Sequence, residues 1–156
     1  MNELDDGLLG DFLAECREHL ASIETDLLAV ERGGADIDEV LVNKVFRAAH
    51  SIKGGAGFFN LSRIQELSHQ AENVLNMVRS REMVPTPEVV NILLMAFDKL
   101  REMVNSPQES RDADIADFVV ALAGLTSAHL PPSQKGAVSR NVSIPMRWPG
   151  MQRRGV

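Results

Sequence analysis

The chain has 156 residues, 44% of them hydrophobic, and a single cysteine, Cys16. That length closes one ordinary core without metals, and a lone cysteine excludes an internal disulfide. Charge is uneven: residues 1–130 carry 11 basic and 22 acidic side chains, residues 131–156 five basic and no acidic ones, so the body of the chain should repel nucleic acid.

The N-terminus is acidic (Glu3, Asp5, Asp6), and no apolar run approaches the ~20 residues a bilayer demands, so no membrane contact and a cytoplasmic location are expected. Phe12, Leu13, Cys16, Leu20, Ile23, Leu27 and Val30 recur at helical spacing and predict one long first helix, broken by Gly33-Gly34. Cys16 lies on its apolar stripe and reads as core rather than as a redox centre, with His19 packed at the stripe's edge. Asp36, with Glu39 three residues on, has the form of a capping box. It opens a second helix that buries Leu41, Val45, Ala49 and Ile52 and ends near Gly57. Phe58 and Phe59 are expected to plug the bundle end, and Asn60 or Ser62 to cap a third helix burying Leu61, Ile64, Leu67, Ala71, Val74, Leu75 and Val78. Arg79 and Arg81 suit its C-terminus.

Thr86-Pro87-Glu88 supplies an N-cap and a first-turn proline for a fourth helix running to about Val104, and Ser106-Pro107 stops it. A fifth helix is predicted from about Ala113 to Ala128, with Ile115, Phe118, Val119, Leu122 and Leu125 on one side. From Pro131 the periodicity disappears among prolines, glycines and isolated basic residues, which reads as a disordered linker or tail over 131–156, Trp148 included. The expected architecture is all-α: an antiparallel four-helix bundle with an additional C-terminal helix, occupying residues 1–130.

One stretch stands apart from the packing pattern. Ala49 to Gly57 reads Ala-His-Ser-Ile-Lys-Gly-Gly-Ala-Gly, and glycines in a helix each cost about 1 kcal/mol relative to alanine. With Val45 at zero on a helical wheel, His50 falls near ~140°, Lys53 near ~80° and Gly57 near ~120°, all off the core face. On the third helix, with Ile64 at zero, Gln65, His69, Glu72 and Asn76 fall between about 80° and 140° and form a polar strip. If the two flanks adjoin, Glu72 accepts the Nδ1 proton of His50 and Nε2 presents its lone pair outward. A neutral, exposed, oriented imidazole nitrogen can attack a phosphoryl group, Lys53 is placed to neutralise phosphoryl oxygens, and Gly54 and Gly57 leave room for a docking partner.

The run Phe46-Arg47-Ala48-Ala49-His50-Ser51-Ile52-Lys53-Gly54-Gly55-Ala56-Gly57 closely resembles the histidine phosphotransfer signature in the form found in CheA-type chemotaxis histidine kinases. Ser68-His69-Gln70-Ala71-Glu72-Asn73-Val74-Leu75 is similar to the family's second motif, and the resemblance covers roughly residues 5–128. It implies that His50 is the phosphoacceptor, that Lys53 and Glu72 tune it, and that His69 joins the hydrogen-bond network. It further implies a separate kinase catalytic core that uses ATP and a CheY-like response regulator receiver domain whose aspartate accepts the group with Mg²⁺. The domain itself is expected to bind no cofactor. Asn60 stands where relatives often have glycine, a mild departure because asparagine tolerates left-handed backbone. Nothing in the chain resembles an ATP-binding, dimerisation or coupling domain.

Rival readings are weaker on the residues. Di-iron bundles use two Glu-x-x-His pairs, whereas this chain has His69-x-x-Glu72 once. The glycines follow a helix, not a strand, and form no P-loop. A non-catalytic helical scaffold is the remaining alternative, in which His50 would never be modified.

Overall fold

The computed structural model describes residues 3–128, with side chains from Asp6 onward; the tail expected over 131–156, like His129, lies outside them. The described residues are helical, without strands. The elements are α1 (Glu3–Leu20), α2 (Ile23–Gly33), α3 (Glu39–Phe58), α4 (Ser62–Arg79), α5 (Pro87–Asn105), α6 (Pro107–Ser110) and α7 (Ala116–Ala128). A closed bundle forms because α2 packs on α3, α3 on α4, α4 on α5 and α5 back on α2, while α1 continues the α2 position against α3 and α5. Cross-links show the antiparallel sense: along α3, Lys53 and then Gly57 meet Glu72 and then Gln65 of α4. Along α1, Arg17 and then Leu20 meet Asn105 and then Arg101 of α5. The core runs the length of these helices, from Leu13 and Leu20 through Val45, Ile52, Leu67 and Leu75 to Phe97 and Leu100. The fifth helix of the sequence reading is α7, which covers α4 and α5 with Leu122 and Leu125 buried beneath it.

The long first helix is instead two helices. Its apolar stripe continues unbroken through Leu20, Ile23 and Leu27, all buried, but Ala21 and Ser22 form a turn between them. Distant residues make the turn: the Arg101 guanidinium donates to the Leu20 carbonyl at 2.7 Å, closing α1. Lys44 of α3 donates to Ser22 Oγ at 2.9 Å and pairs with Asp26 at 2.9 Å, fixing the first turn of α2. Burial pushes the Cys16 thiol up to about 12, with Glu15 adding to the rise and Arg17 opposing it. His19 is half-buried beside Glu15, 3.4 Å away.

The second predicted helix starts later than its sequence signal. Asp38, not Asp36, is the N-cap, its carboxylate accepting from the Leu41 amide at 3.2 Å. Ile37 just before it and Val42 in the first turn are both buried, at the two positions of a hydrophobic staple, which requires the helix to open after Ile37. Leu41 is only half-buried.

The α3–α4 corner also differs from expectation. Asn60 does not cap α4 but terminates α3. It has φ +58°, the Leu61 amide reaches back to the Ala56 carbonyl at 2.8 Å, and the Asn60 amide reaches Gly57 at 3.3 Å, the paired bonds of a Schellman motif. Asparagine serves there because it tolerates left-handed backbone better than most residues with a Cβ. Leu61 occupies the N-cap position of α4 and is buried, and Ser62 makes no cap bond. Of the two phenylalanines expected to plug the bundle, Phe59 stacks on Phe12 with ring centroids 5.4 Å apart, whereas Phe58 is exposed. The Thr86 cap of α5 is as expected, its hydroxyl accepting from Val89 N at 3.3 Å.

Candidate functional site

Because α3 and α4 pack along their lengths, their polar flanks adjoin. His50 points outward with its side chain 63% exposed, and its Nδ1 lies 2.6 Å from Glu72 Oε2. The other carboxylate oxygen of Glu72 accepts from Lys53 Nζ at 2.8 Å. Each oxygen of one carboxylate thus has its own cationic or ring N–H partner. The wheel placed Glu72 beside the core, but its side chain is only 11% exposed, because α3 closes over it. Burial pushes its carboxyl up, and the hydrogen bonds and charges of Lys53 and His50 more than reverse this, holding it below the ordinary glutamate value. An ionised carboxylate only accepts, so Nδ1 carries the proton, and in the neutral ring the exposed Nε2 carries the lone pair.

Lys53, at 26% exposure, spends one of its three donors on Glu72. His69 is exposed and lines an open groove with Lys53, Ser62, Gln65 and Glu66. It makes no hydrogen bond to the described residues around His50, in contrast to the network the resemblance implies. The glycines divide by role. An added Cβ at Gly54 meets nothing within 4 Å, so this position is open surface. At Gly55 it would run into the Phe12 ring, so this glycine serves α1–α3 packing. Gly57 lies under the Gln65 side chain, 2.7 Å from where a Cβ would stand, and faces α4 rather than an open surface.

Two residues that the sequence places only in a motif and at a helix end also stand at the site. Phe46, one turn before His50, lies parallel to its ring, with centroids 6.1 Å apart at 10°. The Arg79 guanidinium covers the same phenyl ring, 3.9 Å from its centroid, and its Nη2 donates to Asn76 Oδ1 at 2.8 Å. Guanidinium, phenyl and imidazole form a column that backs the face of His50 while Glu72 holds its edge. The i, i+4 spacing of Phe46 and His50 was a visible signal; the arrival of Arg79 from α4 was not. Among the described residues, no group of three or more His, Cys, Asp or Glu side chains is placed to hold a metal ion. No helix there is long and apolar enough to cross a membrane.

An all-helical bundle that displays an oriented imidazole on its second long face has the form of a histidine phosphotransfer unit. The chain belongs to the Hpt domain family, whose model matches residues 7–106. It is similar to chemotaxis protein CheA of Rhizobium meliloti, with 37% identity over 123 residues, covering 77% of this chain and 16% of that protein. It is similar also to chemotaxis protein CheA of Bacillus subtilis, 35% identical and covering 88% of this chain and 20% of that one. Sensor histidine kinase CheAY of Helicobacter pylori is 30% identical, covering 86% and 17%. The chain therefore spans a fifth or less of the length of these relatives. Among solved structures, the phosphorylated P1 domain of CheA3 in complex with CheY6 from R. sphaeroides superposes with a TM-score of 0.64 at 25% identity, covering 80% of this chain and 96% of that one.

Proposed function

We propose that this chain is the phosphoacceptor domain of a chemotaxis histidine kinase, acting in the cytoplasm, and that His50 relays a phosphoryl group from ATP on a kinase catalytic core to an aspartate on a receiver domain. The observation that carries the reading is the exposed His50 ring held through Nδ1 by Glu72 at 2.6 Å. Nε2 attacks the γ-phosphorus, an N–P bond forms, and the bond to the β,γ-bridging oxygen breaks, its electron pair leaving with ADP. The ring keeps its Nδ1 proton and becomes cationic, and the Glu72 carboxylate against that proton stabilises the charge. In the second step a receiver carboxylate oxygen attacks phosphorus, the N–P bond breaks, and its electron pair returns to Nε2 to restore neutral imidazole. Lys53 keeps two free donors beside the site for phosphoryl oxygens. ATP belongs with the kinase core and Mg²⁺ with the receiver aspartate.

The kinship to CheA proteins and the fold of the CheA3 P1 domain support this reading. The test is transfer of label from γ-labelled ATP through a CheA-type kinase core to the wild-type chain and to His50→Gln. The wild type is expected to acquire an acid-labile, alkali-stable label, and the glutamine variant none. Equal labelling of both, or a label that survives acid, overturns the proposal, and a scaffold would be indifferent to the substitution.

A further inference from the structure

Phe58 is 73% exposed, yet it is not a loose side chain: its ring meets Phe59 edge-on with centroids 4.9 Å apart, and Phe59 stacks in turn on Phe12. Phe46, His50, Gly54 and Phe58 follow one another at intervals of four along α3, which makes them one ridge of the helix surface. Gly54 is a gap in that ridge between the imidazole and the phenyl ring, with nothing within 4 Å of where a Cβ would stand. At a rise of about 1.5 Å per residue, Phe58 stands roughly 12 Å from His50 along the axis. At about 100° per residue Phe58 is also turned about 80° around α3 from His50, so an ordinary partner surface of about 800 Å², a disc of roughly 16 Å radius, reaches Phe58 toward its edge when centred on Nε2.

We propose that Phe58 is an anchor for the receiver domain: the partner that brings its aspartate to His50 buries this ring in an apolar pocket beside the aspartate and sets a side chain into the Gly54 gap. This rests on the phosphoacceptor reading. The relatives are five or more times longer than the matched segment, so a kinase core on the same chain would meet His50 at high effective concentration and need little docking energy. A separate receiver must draw its affinity from the face itself, and a pre-ordered aromatic ring is the side chain that contributes most at such a surface. Phe58 stands about two helical turns from His50, so it acts on binding and specificity rather than on the chemistry.

The test uses the chain labelled on His50 by kinase core and ATP, freed of both, and mixed with an isolated receiver domain that accepts label from the wild type. Single-turnover transfer is followed against receiver concentration. Phe58→Ala is expected to raise the half-saturating concentration about 30-fold, equivalent to about 2 kcal/mol, with the saturating rate and the rate of labelling by the kinase core within twofold of wild type. Phe58→Leu is expected to recover most of the loss, and an unchanged melting temperature in both variants shows that the fold is intact. A change of less than fivefold in half-saturating concentration overturns the proposal, as does an equal loss in labelling by the kinase core. Failure of the wild type to label at His50 would instead overturn the phosphoacceptor reading, so the two can be told apart.

Discussion

Glu72 is the residue on which the site turns, because one buried carboxylate serves both His50 and Lys53. Its depressed pKa has a definite sign in the pH dependence of stability. A carboxyl that ionises more readily folded than unfolded stabilises the fold above its ordinary value, and that contribution is lost as pH falls through the folded value. Glu72→Gln is therefore expected to lower the urea midpoint at neutral pH, with the gap to wild type closing in acid; a gap that stays constant or widens would contradict this. The same variant is expected to slow labelling of His50 about 10- to 100-fold, since a ring without its tautomer-setting partner spends less time aligned. His50, Lys53 and Glu72 were legible in the sequence because a helical wheel gives the direction of each side chain on its own helix. The stacking of Arg79 on Phe46 was not, because which ring a guanidinium covers depends on the relative height of α3 and α4, and no single helix carries that information.

Among elements, α3 does two incompatible-looking things, and adjacent glycines separate them. Gly54→Ala is expected to raise stability by up to about 1 kcal/mol, the ordinary helix preference for alanine, because nothing surrounds the new methyl. Receiver transfer should weaken at the same time. Gly55→Ala is expected to cost about 1–3 kcal/mol, because Phe12 must leave its place between α1 and α3. Urea titration of both variants checks the opposite signs. The apolar period of α4 was read correctly, and that of α3 apart from Leu41, because amphipathic stripes report burial directly. The α1–α2 break was not, since a two-residue turn leaves the stripe in register and no glycine or proline marks it; Arg101 and Lys44 make it from elsewhere in the chain. The corner after α3 misled for a related reason: Asn60 and Ser62 resemble N-caps locally, while the hydrogen bonds that decide the matter close the helix before them.

At the level of the molecule, α7 lies outside the family match, which ends at residue 106, and packs on α4 and α5. It buries Leu122 and Leu125, with Ile115 just before it, and aliphatic side chains of this size contribute about 1.5–3 kcal/mol each when withdrawn from water. Ending the chain at residue 112 is therefore expected to lower unfolding free energy by several kcal/mol while leaving the rate of His50 labelling within about threefold. A comparable loss in labelling at temperatures where the shortened chain is still folded would show that α7 supports the site. The order of α3, α4, α5 and α7 was legible from stripes and caps, whereas the division into α1 and α2 and the short α6 were not; nor was the side of the bundle that α7 covers, because its sequence is apolar nearly all round.

The column of Arg79, Phe46 and His50 has a consequence for how quickly encounters become productive. With one flank resting on a phenyl ring and one nitrogen tethered, the imidazole arrives at each collision already arrested. The rotational freedom it would otherwise surrender every time was given up once, when the helices assembled. On the phosphorelay reading, each encounter then has to align only the group that the partner brings, because the ring is already in place.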